Sequence, residues 1–112
     1  MTSIVARAPT RLDFGGGWTD VPPYSEDEGG FVCNIAITRY ATVRLRPARG
    51  GQSSVDTRRA ADTALAEAAV RRAGTSGVTI EIASDFPLGA GLGGSSAAGV
   101  AVNGALATLR GD

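Results

Sequence analysis

The sequence contains no histidine and only one cysteine among its 112 residues. Without histidine, the chain lacks the usual general base near neutral pH and the commonest zinc ligand. A single cysteine, Cys33, excludes an internal disulfide and fits a reducing cytoplasm, which is the expected location. Because Cys33 stands in an alternating apolar run, we expect it to be a buried structural thiol and not a nucleophile.

Net charge is absent as well, since 11 basic and 11 acidic residues cancel. No general attraction to nucleic acid or to an acidic membrane surface is therefore expected. The N-terminus has neither a basic segment nor a long apolar run, so neither a secretion signal nor a membrane span is predicted. Aromatic residues are few, at 5%, while 43% hydrophobic and 20% charged residues are typical of one globular domain.

Alternation of apolar and polar residues predicts strands over residues 31–38, 41–46 and 78–83. The first two are separated only by Arg39 and Tyr40, so we expect them to form an antiparallel pair. An earlier strand over residues 3–8 is expected to end at Pro9, with residues 11–14 as a possible continuation. The order of strands, helix, strand and helix is typical of an α+β sandwich.

Two helices are predicted from composition and periodicity. The first covers residues 56–73 and is stopped by Gly74. Ala61, Leu65, Ala68 and Arg72 are expected to lie on one side of it, as the face that packs on the protein. The second runs from Ser95 or Ser96 to Leu109, with Gly111 beyond its end.

The most informative stretch covers residues 87–98, P-L-G-A-G-L-G-G-S-S-A-A, where four glycines precede two serines and the second predicted helix. Glycine lets a backbone adopt positive φ and approach a ligand closely. The first turn of a helix offers unpaired N–H groups and the positive end of a dipole, so this arrangement suits a phosphate. The hydroxyls of Ser95 and Ser96 can hold a phosphate oxygen or a metal bound to it. The sequence therefore predicts a nucleotide-binding protein.

Other interpretations of this run are weaker. A Walker A loop requires a lysine before its final Ser or Thr, and none lies near Gly94. The spacing of Gly89, Gly91 and Gly94 fits a dinucleotide fingerprint, but no strand or acidic partner follows. The glycines can also serve simply as a turn between strand and helix. Four glycines within six positions, followed by two serines, favour binding over a simple turn.

The same run resembles the central ATP loop of the GHMP kinase superfamily, whose pattern is P-x-x-x-G-L-G-S-S-A. The matching residues are Pro87, Gly91, Leu92, Gly93, Ser95, Ser96 and Ala97. Residues 8–13, A-P-T-R-L-D, resemble the superfamily's first motif, A-P-G-R-[LV]-N. The continuation over residues 15–24, G-G-G-W-T-D-V-P-P-Y, is similar to the branch that contains L-fucokinase and D-glycero-D-manno-heptose 7-phosphate kinase.

This resemblance implies a fold like ribosomal protein S5 domain 2, with residues 1–112 as the N-terminal ATP-binding domain of a GHMP kinase. It implies ATP over the glycine run, with backbone N–H groups of residues 91–96 on the triphosphate and Ser95 as a Mg²⁺ ligand. Gly94 stands where the family often has Ser or Thr, so one hydroxyl contact is missing. The candidate cofactor-binding residues are Pro87, Gly89, Gly91, Leu92, Gly93, Gly94, Ser95 and Ser96.

On the substrate side, Asp20 corresponds to the first-motif aspartate that hydrogen-bonds sugar hydroxyls. Arg11 corresponds to an arginine near the acceptor hydroxyl, where it offsets charge during phosphoryl transfer, and is the candidate catalytic residue. Trp18 is a candidate wall for a sugar ring. Each has a structural alternative: Arg11 as a surface cation at a strand end, Asp20 as the cap of the turn before Pro22, and Trp18 as a core anchor.

The implied activity is ATP-dependent transfer of a phosphoryl group to a sugar or sugar phosphate, typically at the anomeric C1 hydroxyl. Members of the superfamily are generally much longer, so the chain resembles an N-terminal part without its C-terminal domain. A complementing C-terminal chain or a second copy is the expected protein partner. The alternative is a non-catalytic nucleotide-binding or structural remnant.

Overall fold

The computed structural model describes residues 3–57, 60–87 and 94–111, and for Ala60 and Ala61 it describes the backbone alone. Four strands and three α-helices follow one another in an α+β arrangement, which confirms the predicted class. The elements are β1 (Ile4–Gly15), α1 (Tyr24–Asp27), β2 (Cys33–Pro47), β3 (Ser54–Asp56), α2 (Ala60–Arg72), β4 (Val78–Ser84) and α3 (Gly94–Arg110). A short 3₁₀ turn at Arg49–Gly51 leads from β2 to β3. None of the helices in these described ranges is long and apolar enough to cross a membrane.

The four strands form one sheet in the order β1-β2-β4-β3. β2 pairs antiparallel with β1 on one side and with β4 on the other, while β3 runs parallel to β4. α3 packs on β1 and β2, and α2 packs on α3 and β3. The parallel pair is connected through α2, as parallel strands require a crossover.

The predicted antiparallel pair over residues 31–46 is wrong, because β2 is a single strand of 15 residues. Arg39 and Tyr40 supply none of the glycine or asparagine chemistry that a tight turn needs, so the alternation continues through them. The backbone N–H of Tyr40 instead donates to Asp85 Oδ1 at 2.7 Å. The true partners of β2 are distant in the sequence.

β1 is the first strand and an edge of the sheet, as predicted, but Pro9 does not end it. Pro9 lies opposite Tyr40, and the register shifts between Pro9 and Arg11 before pairing resumes at Ala36. An edge strand tolerates proline because its missing N–H can face away from the ladder. The strand therefore continues through residues 11–14 to Gly15.

The part of β2 that precedes Ala41 pairs with β1 alone, because the pairing with β4 begins at Ala41. We call residues 11–15 of β1 with residues 33–36 of β2 the two-stranded extension. Apolar side chains on it are exposed, with Phe14 at 69% and Ile35 at 53%. Cys33 is also exposed, so the expectation of a buried thiol is wrong. The apolar alternation was read correctly as a strand, but neither β4 nor a helix covers this part of it.

The core lies between the sheet and the two longer helices. Its largest fully buried side chains are Leu45, Ile80, Leu106, Val43, Val78, Val102 and Thr10. β4 alternates as predicted, and α3 begins at Gly94, one residue before the predicted start. Alanines fill most of the buried face of α3, which lets its backbone lie close to the sheet.

α2 begins later than predicted, because residues 54–56 form β3 alongside β4. It ends as predicted before Gly74, whose φ of +65° suits a helix stop. Its buried face carries Asp62, Ala66 and Val70. The expected face is wrong, since Leu65 is 38% exposed.

Candidate nucleotide and substrate site

The glycine run follows β4 at the end of the sheet. β4 ends at Ser84, Phe86 is buried, and Pro87 is exposed. Residues 88–93 lie outside the described residues, and the candidates Gly89, Gly91, Leu92 and Gly93 are among them. These four assignments stay predictions.

The described part of the phosphate site is the N-terminus of α3. Gly94 and Ser95 are half-buried and Ser96 is exposed, so all three lie in the first turn of a 17-residue helix. That first turn has no acidic residue. Its N–H groups and the positive end of the helix dipole are therefore not compensated by a carboxylate from the same turn. Two hydroxyls and the N–H groups of a helix's first turn are chemically suited to phosphate oxygens and to Mg²⁺ held by them.

The first motif reaches the same end of the sheet. Ala41 and Ser84 form the last pair between β2 and β4, and beyond them Asp85 N donates to Tyr40 O at 3.3 Å. Tyr40 in turn lies opposite Pro9 of β1. Arg11 is two residues further along β1, a rise of roughly 7 Å. It thus lies just beyond the point where the chain leaves β4 toward the glycine run.

The guanidinium of Arg11 is turned toward a neighbouring carboxylate. Its Nε donates to Asp13 Oδ1 at 3.1 Å, with the two side chains 40% and 32% exposed. Nε–H is one of five N–H groups on the guanidinium, so this contact orients the group and uses only part of its donor capacity. Arg11 lies within β1 and not at its end.

Trp18 and Asp20 belong to the turn after β1. Trp18 has a φ of +71° and is 80% exposed, which excludes the core-anchor alternative. Asp20 is exposed, and the turn's backbone hydrogen bond runs from Val21 N to Trp18 O at 3.3 Å. Both side chains are available to a ligand.

Thr19, between them, holds this turn against the segment before β2. Its hydroxyl oxygen lies 2.6 Å from Gly16 O and 3.0 Å from Phe31 O, and the two carbonyls share its proton. Its backbone N–H also donates to Gly16 O at 3.0 Å. The side chain that fixes the loop is therefore one that sequence reasoning did not select.

Two glycines allow this close contact. A Cβ at Gly16 would lie 1.9 Å from Phe31 O, and one at Gly30 would lie 2.0 Å from Thr19 O. Real Cβ contacts essentially never fall below 3.0 Å. Residues 15–20 and 29–32 can therefore touch only because both positions lack a side chain.

The contact closes one end of an open pocket of about 440 Å³. Its walls are Phe14, Gly15, Gly16, Thr19, Tyr24, Glu28, Gly29, Gly30, Phe31 and Cys33. This volume is within the range of small-molecule sites. Arg11, Trp18 and Asp20 lie beside this pocket along the chain but are not in its described wall. Among the described residues, no cluster of three or more acidic or cysteine side chains could hold a metal ion.

Comparison with known proteins gives a family match and two curated relatives. The family model "GHMP kinases N terminal domain" matches residues 58–112. The L-fucokinase/L-fucose-1-P guanylyltransferase of Bacteroides fragilis is 56% identical over 34 residues, 30% of this chain and 4% of that protein. The bifunctional fucokinase/GDP-fucose pyrophosphorylase of Arabidopsis thaliana is 57% identical over 30 residues, 27% of this chain and 3% of that protein.

Among solved structures, a D-glycero-D-manno-heptose 1-phosphate kinase from Bacteriodes thetaiotaomicron is similar with a TM-score of 0.82 and 23% identity. The match covers 99% of this chain and 43% of that one. The chain therefore spans less than half the length of each of these relatives.

The fold and these matches show a resemblance to kinases of the GHMP type. They confirm the resemblance to the GHMP kinase superfamily and its N-terminal domain, with sugar kinases among the similar proteins.

Proposed function

We propose that this chain is the nucleotide-binding part of an ATP-dependent kinase for a sugar or sugar phosphate. The γ-phosphate of ATP is transferred to a sugar hydroxyl, the anomeric C1 hydroxyl in this proposal. The observation that carries it is the N-terminus of α3, whose first turn has no acidic residue, with Ser95 and Ser96 at the same sheet end as the first-motif turn and its pocket. The fucokinase names of the relatives support a sugar as the acceptor.

Each group has a role in this proposal that its chemistry allows. ATP supplies the transferred phosphoryl group. Backbone N–H groups of the glycine run and of the first turn of α3 bind the triphosphate, and Ser95 is a Mg²⁺ ligand. Arg11 offsets developing negative charge near the acceptor. Asp20 accepts hydrogen bonds from sugar hydroxyls, and Trp18 packs against the ring.

The proposed assembly includes more polypeptide than these residues, because the chain covers 43% of the solved heptose kinase. The remaining part is supplied by a longer form of the chain, by a complementing chain or by a second copy. We place the protein in the cytoplasm on the basis of its single cysteine. The short coverage also favours a second candidate, a domain that binds nucleotide without catalysing transfer.

Calorimetric titration of the folded chain with ATP and Mg²⁺ tests the nucleotide site. Ser95→Ala is expected to weaken binding about tenfold, which corresponds to about 1.4 kcal/mol. Thr108→Ala is the matched control, since it removes a hydroxyl from the other end of α3, where Thr108 donates to Gly104 O at 2.9 Å. Absence of binding, or an equal loss in both variants, would contradict the proposal.

A transfer assay then separates the two candidates. Phosphorylation of L-fucose or of D-glycero-D-manno-heptose 7-phosphate by the chain, dependent on ATP, supports the kinase. Binding of Mg-ATP without transfer to either acceptor, even when the remaining part of the proposed kinase is added, supports the non-catalytic domain instead.

A further inference from the structure

Charge is distributed unevenly along this neutral chain. Between positions 12 and 38 there are five acidic residues and no basic residue. Three of the acidic residues, Glu26, Asp27 and Glu28, fall in and directly after α1, and all three are exposed. The segment that builds the pocket is therefore strongly acidic, and the rest of the chain carries the compensating arginines.

The wall of the pocket also carries acidic charge without basic charge. Glu28 is the one charged residue among its described lining residues, and no arginine is among them. Neither arginine of β1, Arg7 or Arg11, lines this wall. Arg11 bonds to Asp13, and the guanidinium of Arg7 lies 4.5 Å from the centre of the Tyr40 ring. The chain contains no lysine that could replace them.

The rest of the wall is aromatic or backbone. Phe14, Tyr24 and Phe31 supply ring faces, and the glycines expose peptide groups between them. Phe14 and Phe31 are 69% and 80% exposed, so their faces are available to a ligand. Aromatic faces pack well against the C–H groups of a sugar ring, and a carboxylate accepts hydrogen bonds from two hydroxyls.

A phosphorylated sugar fits this wall poorly. Its phosphate carries nearly two negative charges at neutral pH and needs arginine, lysine or converging N–H donors. Here it would meet the Glu28 carboxylate and the acidic α1 segment, whose charges repel it. A neutral sugar meets no such repulsion and uses the same carboxylate as an acceptor.

We infer that the pocket selects an unphosphorylated, neutral sugar over a sugar phosphate, with Glu28 as the residue that sets this selectivity. The inference rests on the proposed function, because it narrows the acceptor class of that same site. The inference goes beyond the proposed function because it assigns selectivity to Glu28, a residue outside both sequence motifs.

Cys33 provides a reporter within the pocket. It is the chain's single cysteine, it is exposed, and it lines the wall. Alkylation by iodoacetamide, which is uncharged, therefore measures access to this pocket and to no other thiol. We expect D-glycero-D-manno-heptose to slow alkylation of Cys33 at a concentration at least tenfold below that needed with its 7-phosphate.

Charge-reversal variants test the assigned residue. Glu28→Arg is expected to reduce the difference between the two sugars to less than threefold. Glu26→Arg changes the net charge equally and lies in the short helix that Glu28 directly follows, but it is outside the described wall, so it is expected to keep the tenfold difference. Equal or tighter binding of the 7-phosphate by the unmodified chain overturns the inference, as does an equal effect of the two variants.

Titration with Mg-ATP in the absence of sugar distinguishes failure of the inferred selectivity from failure of the proposed kinase function. If Mg-ATP binds and the 7-phosphate protects Cys33 best, the inference fails and the proposed kinase stands. If Mg-ATP does not bind while neutral heptose protects Cys33 selectively, the proposed kinase fails and the pocket's selectivity stands. A charged amine that protects better than either sugar also overturns the inference, because aromatic and acidic walls bind cations as well.

Discussion

A position can require glycine because its φ is positive or because another atom lies too close for a Cβ. Four glycines in the loops around the pocket have neither, one or both of these features. Gly17 has neither a positive φ nor any atom within 4 Å of an added Cβ, whereas Gly29 has a φ of +69° and open space. Gly30 has a contact of 2.0 Å with Thr19 O, and Gly16 has both a contact of 1.9 Å and a φ of +85°. Alanine at each position therefore tests strain and close approach alone and in combination.

The expected losses in free energy of unfolding follow from these features. Gly17→Ala is expected to be neutral or to stabilise by up to about 1 kcal/mol, because alanine restricts the unfolded chain. Gly29→Ala is expected to cost about 1–2 kcal/mol for a left-handed alanine. Gly30→Ala must move the Thr19 carbonyl by about 1 Å and disturb the Thr19 hydroxyl bond, at about 1–2 kcal/mol. Gly16→Ala combines both effects, at about 2–4 kcal/mol.

Urea denaturation followed by circular dichroism measures these values. Because a surface loop can open without global unfolding, amide exchange at Thr19, whose N–H donates to Gly16 O, measures the local opening directly. Equal stability and equal exchange for Gly16→Ala and Gly17→Ala would refute the reasoning. The loop would then not depend on close approach at all.

Three further changes test the core, a helix and the surface. Gly104→Ala in α3, where nothing lies within 4 Å, is expected to raise stability by about 0.5–1 kcal/mol in urea denaturation, and a loss would contradict the open space. Leu45→Ala, at a side chain with no exposure, is expected to cost about 2–5 kcal/mol in the same assay, and a cost below about 1 kcal/mol would contradict its place in the core. Arg46 Nη2 bonds to Glu81 Oε1, and the two side chains are 50% and 36% exposed. A double-mutant cycle on this pair is expected to give a coupling free energy below about 1 kcal/mol, because solvent screens exposed ion pairs. A coupling of several kcal/mol would show that this pair is not screened by solvent.

Sequence periodicity predicted the elements whose partners cover them evenly. β4 alternates because Val78, Ile80 and Ile82 pack on the core, and α3 carries a stripe of mostly small apolar residues. Periodicity failed at β2. It predicted two strands paired with each other, whereas β2 is one strand that pairs with β1 and β4. The burial of Cys33 was predicted wrongly for the same reason, since alternation says which face a side chain takes and not whether anything covers that face.

The candidate site was predictable in part. The glycine run with Ser95 was evident from composition, and the assignment of the first motif to the substrate side stays a prediction. The aromatic wall was not evident, because Phe14, Tyr24 and Phe31 come from three separate elements or loops and share no spacing. No sequence motif distinguishes Gly30, and its contact with Thr19 explains why a side chain is excluded there.

The placement of β2 also has a kinetic consequence. Its register with β1 joins residues as far apart as Ile4 and Leu45, and its register with β4 joins Val43 to Ile82. No adjacent strands can therefore zip together from a tight turn, and chain closure must precede the gain from burial. We expect refolding on the millisecond-to-second scale typical of topologies rich in distant pairings.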